Sequence, residues 1–174
     1  MVRRLVWLSL WCFGLLAAAA EHGLGGTFTV TAPAFAQGQP IPARYALAGE
    51  NQSPELRIKD APEKARTLAL IVVDPDAPSG DWIHWLVWNL PADTRALAEG
   101  SLPAGAREGK NSFGHVRYDG PSPPSGTHRY FFRLYALDTA LSLPVGSDRK
   151  ALESAMDGHI VGIAETYGTY SASP

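Results

Sequence analysis

The chain of 174 residues holds a single cysteine, Cys12, inside its first apolar stretch. Beyond that stretch there is no thiol. Disulfides, a cysteine nucleophile and a cysteine-ligated zinc are therefore excluded from the body of the chain. Also missing are the G-x-S-x-G of a serine hydrolase and the G-x-x-x-x-G-K-[ST] of a phosphate loop. Neither H-E-x-x-H nor an EF-hand spacing is present, so no metal site and no cofactor are expected. Ser147 to Lys150 matches S-x-x-K, but S-D-N and K-T-G are absent, and Ser147 reads as a helix N-cap. With no activated nucleophile in view, the chain does not read as an enzyme. Basic clusters, internal repeats and low-complexity linkers are lacking as well.

The first feature present is a leader. Arg3 and Arg4 precede LVWLSLWCFGLLAAAA, which ends at Ala20 before Glu21. A basic start, a short apolar stretch and small closing residues make a secretory signal with cleavage expected after Ala20. The stretch is about the shortest that spans a bilayer, so an uncleaved anchor is the alternative. Residues 1–20 are read as a signal peptide and 21–174 as one domain, periplasmic or secreted. Without Arg3 and Arg4 the 15 basic residues fall to 13 against 17 acidic ones, about −4. A mildly acidic chain of this kind is a poor nucleic-acid binder. At 45% apolar and 18% charged, it has enough to bury a core.

The centre of the body is DPDAPSGDWIHW, Asp74 to Trp85. The apolar run Leu68 to Val73 leads in and Leu86 to Leu90 leads out, and both read as buried strands with Trp88 in the core. As a hairpin, these strands bring Asp74 near His84. A side-chain period of two puts Trp82 and His84 on one face and Trp85 on the other. Upstream, Phe28 to Phe35 reads as a strand and Arg44 to Ala48 as a short one. Asn51-Gln52-Ser53 matches a glycosylation triplet. Downstream, Ala92 to Glu99 holds helix formers and stops at Gly100. Leu102 to Phe113 shows no period. A Gly/Pro loop at 120–126 precedes the strand HRYFFRLYAL, with His128, Tyr130 and Phe132 on one face. A helix follows Ser147, and HIVGIAETYGTY fits helix or strand. The class is all-β, or α+β with late helices.

Asp74, Asp76, His84, His128 and Tyr130 form a polar set on two loops, with Trp82, Pro78, Pro121 and Pro123 as walls. That is the make-up of a small ligand pocket. Each part also has an ordinary reading. DPD serves as a turn, His84 as a satisfied core histidine and His128 as edge-strand surface. The loop at 120–126 serves as punctuation.

DPDAP with IHW, followed by GPSPPSGTHRYFF, resembles the phosphatidylethanolamine-binding protein family in its bacterial Raf-kinase-inhibitor-like branch. GENQSPEL and GHIVGIAETYGTY resemble further stretches of it. The resemblance implies an antiparallel β-sandwich with a few peripheral helices and a small anion pocket at one end. Matched residue by residue, the pocket draws on Asp74, Asp76, Pro78, Trp82 and His84, with Gly120, Pro121, His128 and Tyr130. Ser122 stands where bacterial relatives commonly carry cysteine. Ile83 replaces the first histidine of a His-His pair in some eukaryotic members.

The function expected is an exported binding protein for phosphate or a phosphoryl head group, touching membranes only through such head groups. An inhibitor of a protease or other enzyme, working on a protein target through surface loops, is the alternative. Like charges disfavour an anion beside two carboxylates. The carboxylates are therefore expected to orient histidines that donate to the anion, with backbone N–H groups near Gly120 adding donors. A pocket histidine such as His128 is expected to matter little for stability.

Overall fold

The computed structural model describes residues 26–172. The expected signal peptide and its cleavage site lie outside the described residues. Eight strands and one helix follow in order: β1 (Thr29–Thr31), β2 (Leu56–Lys59), β3 (Thr67–Asp74), β4 (Trp82–Pro91), β5 (Ala96–Leu97), β6 (Arg107–Glu108), β7 (Thr127–Leu137), α1 (Arg149–Met156) and β8 (Ile160–Ser171). They form a small sheet ordered β1-β2-β5 and a large one ordered β6-β4-β3-β7-β8, antiparallel throughout. No helix among the described residues is long and apolar enough to cross a membrane.

Two cores explain the apolar runs. One lies between the sheets, where Leu56 and Ile58 meet Leu68, Leu70, Phe132 and Leu134. The other lies on the far face of the large sheet, where Ile71, Val73 and Trp88 meet Leu152 and Met156 of α1. Strand β3 is buried along its whole length, because a strand covered on both faces has no solvent side to make polar. The mainly β class and the sandwich follow as expected.

Four local expectations change. Ala92 to Glu99 is not a helix; it turns after Pro91 and supplies β5, which pairs with β2. Leu97, 1% exposed, gains more from the core than a short isolated helix gains from propensity. Arg44 to Ala48 is not a strand: Pro42 presets φ and starts a 3-10 turn at Ala43–Tyr45. Asp148 rather than Ser147 caps α1, accepting from the Ala151 N–H at 2.9 Å, while Ser147 donates to the Pro144 carbonyl. Residues 107–108 of the stretch without period pair with β4 as β6. The ambiguous closing segment is the edge strand β8.

Candidate functional site

The hairpin β3–β4 places Asp74 opposite Trp82. Between Val72 and Val73 the register shifts, pairing them with Trp85 and Ile83 and leaving His84 as the extra residue. Such a bulge turns two successive side chains toward the same side. Trp85 therefore joins the core between the sheets, and His84 meets Tyr130 of that same core edge-on at 5.1 Å. The expectation that Trp85 faces away from His84 fails for this reason.

A cavity of about 310 Å3 opens beside the bulge. Asp74, Pro78, Trp82 and His84 line it, joined by Phe113 and Ser122. The two motif loops thus meet at one end of the sandwich. Phe113, from the segment running beside β4, sets its ring near both Trp82 at 5.4 Å and His84 at 5.5 Å. No spacing in the sequence points to it.

His128 and Tyr130 stand behind the wall. His128 Nδ1 donates to Asp74 Oδ2 at 2.7 Å, and the other Asp74 oxygen accepts from the Asp76 N–H at 2.8 Å. His128 is buried and holds a buried carboxylate. The expectation that its loss leaves stability unchanged is corrected: removing it strands Asp74 without its partner. The Tyr130 hydroxyl is buried with no hydrogen-bond partner among the described residues. Burial and then the charge of Asp74 push its pKa up, so it remains a neutral hydroxyl.

Asp76, Gly120 and Pro121 do not line the cavity. Asp76 turns to Arg129, accepting from its backbone N–H at 2.9 Å and from its guanidinium at 2.8 and 2.6 Å. That side-chain bond holds its pKa down at about 2. The Gly120 N–H is spent on Asn51 Oδ1 at 2.8 Å, so it supplies no donor to an anion. A Cβ at Gly120 would strike the backbone of Tyr45 and Ala46. The Pro121 carbonyl accepts from the Leu47 N–H at 3.0 Å.

His84 is oriented by a backbone carbonyl rather than a carboxylate. Its Nδ1 lies 2.6 Å from the Asp119 carbonyl oxygen, which can only accept, so Nδ1 carries the proton. Burial lowers the His84 pKa, opposed by that bond and by the charge of Asp74. A neutral His84 ring then offers Nε2 only as an acceptor. The same logic applies to His128: with Nδ1–H on Asp74, Nε2 donates only when the ring is imidazolium.

Asp119 carries no motif that marks it in the sequence. Its side chain is fully buried and accepts from Asn51 at 3.0 Å, Asn111 at 2.8 Å, His115 at 2.7 Å and Arg117 at 3.2 Å. Burial raises its pKa, but these donors outweigh burial and hold it below the ordinary carboxylate range. Asn51 is committed on both sides of its amide, to Asp119 and to Gly120. The glycosylation triplet is thus a structural bridge.

The class follows from this geometry: a two-sheet β-sandwich with a small, mostly apolar pocket built on a buried Asp–His pair at its loop end. The phosphatidylethanolamine-binding protein family profile matches residues 31–171, and the chain belongs to that family. A UPF0098 protein of Methanothermobacter thermautotrophicus is 50% identical over 135 residues, covering 75% of this chain and 89% of its own. One from Chlamydia trachomatis is 45% identical over 146 residues, covering 81% and 97%. A crystal structure described as a phosphatidylethanolamine-binding protein homologue of C. trachomatis aligns with a TM-score of 0.80 at 43% identity, covering 84% and 99%. Escherichia coli YbcL, described as a member of the mammalian family, aligns with a TM-score of 0.78 at 30% identity, covering 85% and 100%.

Proposed function

We propose that the chain is an exported binding protein that holds a small phosphoryl-type anion in the pocket beside Asp74. The observation that carries this reading is the His128–Asp74 pair behind an apolar-walled cavity of about 310 Å3. Both Asp74 oxygens already accept a hydrogen bond, which blunts their repulsion of an anion. Protonation of His128 makes the pair neutral overall and turns Nε2 into a donor. Binding is thus coupled to proton uptake. The leader at residues 1–20 supports export. Trp82, Phe113 and Pro78 supply apolar contact for the carbon atoms of a head group, and an ammonium there would meet Asp74.

The test is titration calorimetry with phosphate, phosphoethanolamine and sulfate at about pH 5.5 and about pH 8. Sulfate keeps one charge across that range, so its pH slope reports the protein. Affinity should fall as pH rises, because a neutral ring has lost its second donor. His128→Gln still donates an N–H toward Asp74 but cannot charge. It should cost roughly 1.5–3 kcal/mol of binding at the lower pH and abolish the slope. Equal affinity and slope in both proteins removes His128 from the site.

A further inference from the structure

A second cavity, of about 280 Å3, neighbours the first and shares no lining residue with it. Its floor is Trp85, next to His84 on β4, set edge-on against Tyr118 at 5.7 Å. Two opposite charges line it, Glu108 and Arg117. Neither is neutralised by the other. Glu108 accepts through Oε1 from the Trp85 indole N–H at 2.7 Å, which holds the carboxylate in place. Its Oε2 has no partner among the described residues. Arg117 donates through Nε to Asp119 at 3.2 Å, which tethers the guanidinium. Its Nη groups reach no acceptor oxygen of the cavity wall. Nη2 lies 3.5 Å from His115 Nδ1, a nitrogen already engaged with Asp119.

Charges of opposite sign on one small cavity, Glu108 with a free carboxylate oxygen and Arg117 with Nη groups left over from its ion pair with Asp119, match a molecule carrying both. A carboxylate takes two N–H bonds from a guanidinium. An ammonium needs an acceptor with a free lone pair, which Glu108 Oε2 supplies. A phosphate dianion meets repulsion from Glu108. At roughly 30 Å3 of liquid volume per water, the space suits an amino acid rather than a nucleotide or a lipid. We propose that this cavity is a second ligand site, for a small ammonium–carboxylate zwitterion of amino-acid type, with Arg117 holding the carboxylate and Glu108 the ammonium.

The test is an NMR titration of the wild-type protein, reading the Trp85 indole N–H, assigned by its loss in Trp85→Phe. The probes are the twenty amino acids, with acetate and methylammonium as single-charge halves. At least one amino acid should give a saturating shift in the low millimolar range or tighter, with each half at least tenfold weaker. Glu108→Gln keeps an acceptor for Trp85 but loses the charge; Arg117→Gln loses the guanidinium. Each should weaken binding tenfold or more, the scale of one charge-assisted contact. No saturating shift with any amino acid at tens of millimolar overturns the proposal. So does a shift that either half reproduces equally, or one that persists unchanged in both variants. The proposal does not rest on the first pocket, whose phosphate titration stands or falls separately.

Discussion

Asp74 and Asp119 are both buried carboxylates within reach of a histidine, and they are built for different ends. Asp119 is fully buried, and four side chains donate to it. Asp74 is 3% exposed, accepts from one histidine and one backbone N–H, and lines a cavity. Burial alone does not tell the two apart. What separates the two is their setting: Asp74 lines a cavity, whereas Asp119 is enclosed by its donors. Those on Asp119 close a network that ties the segment 111–119 to Asn51 and, through its carbonyl, to His84. The side-chain donor on Asp74 is His128, buried behind the cavity wall.

The comparison breaks if the two carboxylates weigh equally in stability. Asp119→Ala should cost about 3–5 kcal/mol, because it strands two amide donors, buried Asn111 and half-buried Asn51, at about 1–3 kcal/mol each. Urea melts check this, and a loss below about 1 kcal/mol would mean the network is slack. Asp74→Asn should cost less, about 1–3 kcal/mol, while removing the pH slope of sulfate binding. A larger loss for Asp74→Asn than for Asp119→Ala inverts the assignment of roles.

His84 sharpens the contrast through pH. Its folded-state pKa is depressed by burial, so the unfolded chain takes up a proton first as pH falls. Its contribution is fully present above the ordinary imidazole pKa of ~6.5 and is lost as pH falls from there toward the folded value. Stability of the wild type should decline over that window, and His84→Phe should flatten the profile. An unchanged profile in the variant would assign the window to another group.

The smallest effect belongs to the exposed clamp on the pocket loop. Arg129 pairs with Asp76, with side chains 52% and 28% exposed. Arg129→Ala should cost no more than about 1 kcal/mol, and less in high salt. The depressed pKa of Asp76, about 2, means its contribution is present above the ordinary carboxylate range and lost as pH falls through about 2. The stability gap between the two proteins should be full above about pH 4, the ordinary aspartate pKa, and should close as pH falls toward about 2.

Much of the candidate site is legible in the amino-acid sequence. Asp74, Pro78, Trp82 and His84 sit on one hairpin, where neighbours in sequence stay neighbours in space. Strand period places His128 next to a rigid loop. Ser122 lines the cavity from the Gly/Pro loop, and Phe113 lines it with no local signal to mark it. Phe113 lies in a stretch with no period, and its position depends on hydrogen bonds of that stretch to β4, such as Ser112 to Ile83 at 2.9 Å. Asp76 looks equivalent to Asp74 in the DPD motif, yet Arg129 draws it outward.

By itself the sequence determined the three long strands β3, β4 and β7, the burial of their inward faces and the two loops that Asp74 and His128 flank. Consecutive residues set these things: an apolar run or an alternation acts over a few positions, and proline or glycine ends it. Only the tertiary structure decided that His84 and Trp85 share a side, because a bulge belongs to the pairing of two strands and not to either one. It alone turned Ala96–Leu97 into a strand, since the partner β2 lies far upstream. It also saturated Asp119 with donors as distant as Asn51, 68 positions away. Hydrogen-bond saturation of a buried charge depends on which segments meet, and that is settled only when the sheets close.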